Sequence, residues 1–83
     1  MPAKIEYKAS VLRDLKKIGK PEAKRIVDNL EKALSADPDC GLALKGDFAG
    51  LFKLRIGDYR VIYAKTKEGV LILRIGHRKN VYD

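Results

Sequence analysis

The stretch that most limits what this chain can become runs from Leu51 to Tyr63: Leu-Phe-Lys-Leu-Arg-Ile-Gly-Asp-Tyr-Arg-Val-Ile-Tyr. Two runs rich in branched and aromatic residues flank Gly57-Asp58, a two-residue hairpin turn with glycine at its first central position. Counting outward from that turn sets the pairing: Ile56 with Tyr59, Arg55 with Arg60, Leu54 with Val61, Lys53 with Ile62, and Phe52 with Tyr63. Side chains alternate across a strand, so Phe52, Leu54, Ile56, Tyr59, Val61 and Tyr63 share one apolar surface. The opposite surface carries Lys53, Arg55 and Arg60. Like charges opposed across a hairpin destabilise it by up to ~1 kcal/mol, so the Arg55–Arg60 pair points to an anion site, and phosphate is the anion that guanidinium forks suit.

Around this hairpin the chain reads as a single domain, residues 1–83. Lys4-Ile5-Glu6-Tyr7-Lys8 alternates as a short first strand with Ile5 and Tyr7 inward. Ser10 is placed to cap a helix in which Val11, Leu12, Leu15 and Ile18 recur at helical spacing, and Gly19 ends it. Pro21 opens a second helix. Its apolar stripe is Ala23, Ile26, Val27, Leu30, Ala33 and Leu34, and its mixed-charge face reads as solvated. Asp37-Pro38-Asp39 stops that helix, and residues 40–50 form a connection with room for a short edge segment at Leu42 to Leu44. After the hairpin and a turn at residues 65–69, Val70 to Ile75 is nearly all apolar, which suits a strand buried on both faces. The expected fold is α+β in the order β-α-α-β-β-β. Two N-terminal helices pack on one face of a mainly antiparallel four-stranded sheet, and the other face stays open. The length of the last loop leaves open which of Arg74, His77 and Arg78 shares a face with Arg60.

Composition narrows the function. Eighteen Lys and Arg against eleven Asp and Glu leave a formal charge of +7, which favours a polyanionic partner. Cys40 and His77 are the only cysteine and histidine, so neither a disulfide nor a zinc site is expected, and no cofactor is implied. Cys40 has no base near it in sequence and is not expected to be a nucleophile. No apolar run has signal-peptide or membrane-span length, so a soluble, cytoplasmic protein is expected.

The cations define a chemistry. A 2′-hydroxyl of RNA can attack the adjacent phosphate if a site orients it, takes its proton and stabilises the added negative charge. No His–Glu pair is evident for the proton transfers. Crowded positive charge favours the neutral form of a lysine, which makes Lys53 the candidate base, while Arg55, Arg60 and Arg78 stabilise charge. Tyr82 can stack on a base.

Leu44-Lys45-Gly46, then Gly50 to Tyr63, then Ile75-Gly-His-Arg-Lys-Asn-Val-Tyr82 closely resemble the RelE family of toxin–antitoxin systems, within the superfamily that includes the ParE toxins. The resemblance covers nearly the whole chain. It implies a type II toxin that cleaves mRNA in the ribosomal A site, inhibits translation, and is held inactive by a RelB-like antitoxin. It implies catalytic roles for Lys53, Arg55, Arg60 and Arg78, with Tyr82 stacking on a substrate base. Two departures stand out: Arg55 sits where a lysine is often found, and His77 beside Arg78 is placed to share proton transfer. The alternatives are a ParE-like toxin that inhibits DNA gyrase by binding, and an inactive relative that only binds its antitoxin.

Overall fold

The computed structural model describes residues 4–77, the side chain of Phe48 excepted. In chain order the elements are β1 (Lys4–Tyr7), α1 (Ala9–Ile18), α2 (Lys20–Ala36), β2 (Leu42–Ala43), a 3-10 turn at Gly46–Phe48, β3 (Leu51–Ile56), β4 (Tyr59–Lys65) and β5 (Gly69–His77). The class is α+β as expected, but the sheet has five strands in the order β1-β5-β4-β3-β2. The extra strand is the two-residue edge segment β2. The sheet is mixed: β1 runs parallel to β5, and the other three ladders are antiparallel.

The hairpin forms as its residues dictate. Gly57 has φ of 59°, the left-handed conformation that the first position of such a turn requires. All six predicted residues of the apolar surface pack into one cluster with α1 and α2, and the register from Ile56↔Tyr59 to Phe52↔Tyr63 is the predicted one. The helices supply Val11, Ile26, Leu30 and Leu34 to this core, and β5 adds Val70, Ile72 and Ile75, all buried. Full burial of each aliphatic side chain favours folding by ~1.5–3 kcal/mol. Leu12 departs from expectation: it lies on the outer side of α1 and is 63 % exposed.

Helix α1 and strand β5 are joined in a way local patterns did not predict. β1 stops at Tyr7 opposite Ile72, which leaves the outer edge of β5 bare from Leu73 onward. One turn of α1 takes over. Ser10 Oγ donates to the Leu73 carbonyl at 2.9 Å, and Asp14 Oδ2 accepts from the Ile75 amide at 3.0 Å. Ser10 is therefore not the helix cap, which falls on Lys8 with no side-chain bond. Its hydroxyl serves the sheet instead. Residues four apart share a helix face, so Ser10 and Asp14 together stand in for a missing strand. On the other side of β1, the Tyr7 hydroxyl donates to the Glu31 carboxylate of α2, and burial together with that carboxylate raises its pKa.

Candidate functional site

The three cations of the hairpin lie on the face away from the helices. Lys53 and Arg55 come from β3 and Arg60 from β4, with Arg55 and Arg60 directly paired. With Cys40 and Leu42 they line a groove of about 350 Å³. No carboxylate lines it among the described residues. Arg55 is exposed and donates Nε to the Gly57 carbonyl at 3.4 Å, whereas Lys53 and Arg60 are half-buried. Ile62 occupies this same face and is fully buried. Its cross-strand partners are Lys53 on one side and Arg74 on the other, so it forms an apolar floor between cations.

The far wall of the groove is held from beneath the sheet. β2 pairs Leu42 with Lys53, which puts Leu42 beside the lysine. The buried Tyr63 hydroxyl donates to the Pro38 carbonyl and accepts from the Gly41 amide, both at 3.0 Å. Burial outweighs the Gly41 bond and raises the Tyr63 pKa, keeping the donating proton in place. Gly41 is required there: a Cβ would come within 2.5 Å of the Tyr63 hydroxyl and 2.9 Å of the Lys53 carbonyl. An ion pair between Lys65 and Asp39 ties down the same loop. Burial and the Asp37 carboxylate push the Cys40 thiol up, the wrong direction for a nucleophile.

His77 does not join this constellation. Thr66 and Gly69 close the last turn through Thr66 N to the Gly69 carbonyl and Gly69 N to Thr66 Oγ1. The β4–β5 ladder then shifts between Ile62 and Tyr63, so Ile62 pairs with Arg74 and Tyr63 with Ile72. As a result Arg60 faces Gly76, and His77 faces Tyr59 on the helix-covered side, its ring edge-on to the tyrosine at 5.7 Å. Sharing of proton transfer at the Lys53 groove is not what this register supports. Arg74 stands opposite Ile62 but gives Nε to Asp14 at 3.2 Å. Arg78 and Tyr82 lie outside the described residues. Sequence reasoning missed Leu42, Ile62 and Tyr63 as parts of the site. Ile62 carried a signal, since it alternates in register with Arg60, but nothing local marked it as buried.

A short mixed sheet under a helical pair, with a cationic groove on its bare face, defines a small basic domain suited to polyanions. The chain matches the family described as "ParE toxin of type II toxin-antitoxin system, parDE" over residues 5–82. It is 33 % identical over 85 residues to Toxin RelG of Mycobacterium tuberculosis, a match covering 99 % of this chain and 98 % of that one. Among solved structures it resembles the RelBE2 toxin–antitoxin complex of Mycobacterium tuberculosis, with a TM-score of 0.85 and 32 % identity over 94 % of this chain and all of that one. The Escherichia coli DinJ–YafQ complex shares the fold, with a TM-score of 0.74 and 19 % identity over the full length of both chains. The chain belongs to the RelE/ParE superfamily and is a type II toxin–antitoxin toxin.

Proposed function

We propose that this toxin is a ribosome-dependent endoribonuclease that cuts mRNA in the A site and so inhibits translation. The observation that carries this reading is the groove on which Lys53, Arg55 and Arg60 converge. Such a groove suits a phosphodiester. Lys53 is assigned as the base that takes the 2′-hydroxyl proton. Arg55 and Arg60, with Arg78, stabilise the charge that builds on the phosphate, and Tyr82 stacks on a substrate base. Attack of the 2′-oxygen on phosphorus breaks the bond to the 5′-oxygen and leaves a 2′,3′-cyclic phosphate. The leaving oxygen takes up a proton. The groove lies on the uncovered face of the sheet, and orientation of the RNA is assigned to a ribosome that fixes its path.

A RelB-like antitoxin is the proposed partner, as the relative from Mycobacterium tuberculosis forms a toxin–antitoxin complex. A formal charge of +7 favours an acidic antitoxin segment over the cationic face. The match to the ParE family favours a second reading, a toxin that binds DNA gyrase and cuts no RNA.

Single-turnover cleavage on programmed ribosomes, run beside a gyrase supercoiling reaction, separates the two. The expected result is cutting of ribosome-bound mRNA, little cutting of the same RNA alone, and undisturbed supercoiling. Lys53→Ala and Arg60→Ala are each expected to slow cleavage about tenfold or more, equivalent to ~1.4 kcal/mol in the transition state. Wild-type rates in both variants would remove the groove from the mechanism.

A further inference from the structure

A concavity at the end of β5, on the other side of the sheet from the groove, remains unused by this mechanism. It lies between α1 and the end of β5, encloses about 410 Å³, and is lined by Asp14, Lys17, Ile18, Tyr59, Arg74 and His77, among others. We propose that this pocket is a second RNA site that holds a single nucleotide, a reading that rests on the assignment of the toxin as an RNA-directed enzyme.

Three features argue for a nucleotide. Among the described residues, its rim carries two cations, Lys17 and Arg74, against one carboxylate. That carboxylate, Asp14, is already engaged by the Ile75 amide and by Arg74 Nε. A guanidinium has five N–H donors, so Arg74 can hold Asp14 and still present donors to a phosphate. The walls suit a base: Tyr59 and His77 meet edge to face at 81°, and Ile18 and Ile75 supply apolar surface. An aromatic wall beside a cationic rim is the common construction for single-stranded nucleic acid.

The pocket also adjoins the first site. Gly76 lines it and at the same time pairs with Arg60 of the groove. Having no side chain, Gly76 adds no bulk of its own where the two sites meet at the ends of β4 and β5. The nucleotide can come from the message or from ribosomal RNA. Both present the same phosphate and base.

The test uses Lys17→Gln, because Lys17 is exposed and can be neutralised without disturbing the core. A hexanucleotide of 2′-O-methyl RNA, which cannot be cut by 2′-attack, is titrated into the wild-type protein and the variant, and vacant ribosomes form a second arm. If the message supplies the nucleotide, the ring resonances of Tyr59 and His77 shift on adding the oligomer. Lys17→Gln then binds it about threefold or more weakly, with a salt slope lower by ~0.7, and Lys17→Arg restores binding. If ribosomal RNA supplies it, the oligomer leaves the rings unmoved and the same loss appears only with vacant ribosomes. Wild-type affinity of Lys17→Gln in both arms overturns the pocket. Wild-type cleavage of programmed ribosomes is scored separately: its absence would overturn the nuclease reading, whereas cleavage with unchanged Lys17→Gln binding would overturn the pocket alone.

Discussion

The two faces of the β3–β4 hairpin are built from alternate residues of the same two strands, yet they meet opposite demands. The covered face interlocks Phe52, Leu54, Ile56, Tyr59, Val61 and Tyr63 with the helices. The bare face sets Arg55 against Arg60 and keeps Lys53 beside Leu42. One face supplies stability and the other gives some of it up for charge. The separation is incomplete at two points. Ile62 is a core residue on the charged side, and the Tyr63 hydroxyl reaches from the apolar side to fasten the wall of the groove.

The contrast is tested most severely at Leu30, fully buried on α2. Leu30→Ala is expected to lower unfolding stability by ~2–5 kcal/mol in a urea melt, and its folded fraction should retain the wild-type cleavage rate. Arg60→Ala should behave the other way, with slowed cleavage and a nearly unchanged melt. A next, smaller effect lies where the faces are coupled. Tyr63→Phe removes both hydroxyl bonds and leaves a carbonyl and an amide to find other partners, costing ~1–3 kcal/mol. Because those bonds hold residues 38–41, amide exchange should quicken in that loop more than in the helices. Uniform protection would show that the groove wall stands without Tyr63. The smallest expected effect has the opposite sign: Arg55→Gln relieves like-charge opposition and should raise stability by up to ~1 kcal/mol while cleavage slows. A clear loss of stability would mean that the charged face contributes to folding after all.

How much of this was legible in the sequence follows from the range of each interaction. The hairpin register was readable to the residue, because a two-residue turn and a period of two leave no freedom once Gly57-Asp58 is recognised. The helical stripe Ile26, Leu30 and Leu34 was readable for the same reason. What escaped depends on partners distant in the chain. Nothing in Lys4–Tyr7 announces that it will lie parallel to β5. Leu42 and Ala43 are too few for a pattern, so the sequence leaves room for an edge segment there but yields a sheet of four strands, not five. The face taken by His77 depends on the slip at Ile62/Tyr63, which reverses every later side chain relative to a regular ladder. Ser10 reads as a cap because serine is favoured just before a helical apolar pattern. Its real partner is a carbonyl on a strand formed much later in the chain.

That late partner has a consequence for how the protein comes into being. β1 emerges first during synthesis, but the strand it lies against begins at Gly69, where even a Cβ would strike Lys4. Val11, Ile26 and Leu30 likewise wait for Val70, Ile72 and Ile75 to complete their cluster. Pairing of chain segments so far apart raises contact order and slows folding. A nascent chain that has released only the helices and the hairpin lacks β5, the strand that lies between β1 and β4 and against α1. Completion of the fold thus waits for β5, the last of the described elements in chain order. The cationic face of the hairpin would by this arrangement gain its buried floor, Ile62, only once β5 has joined beside it.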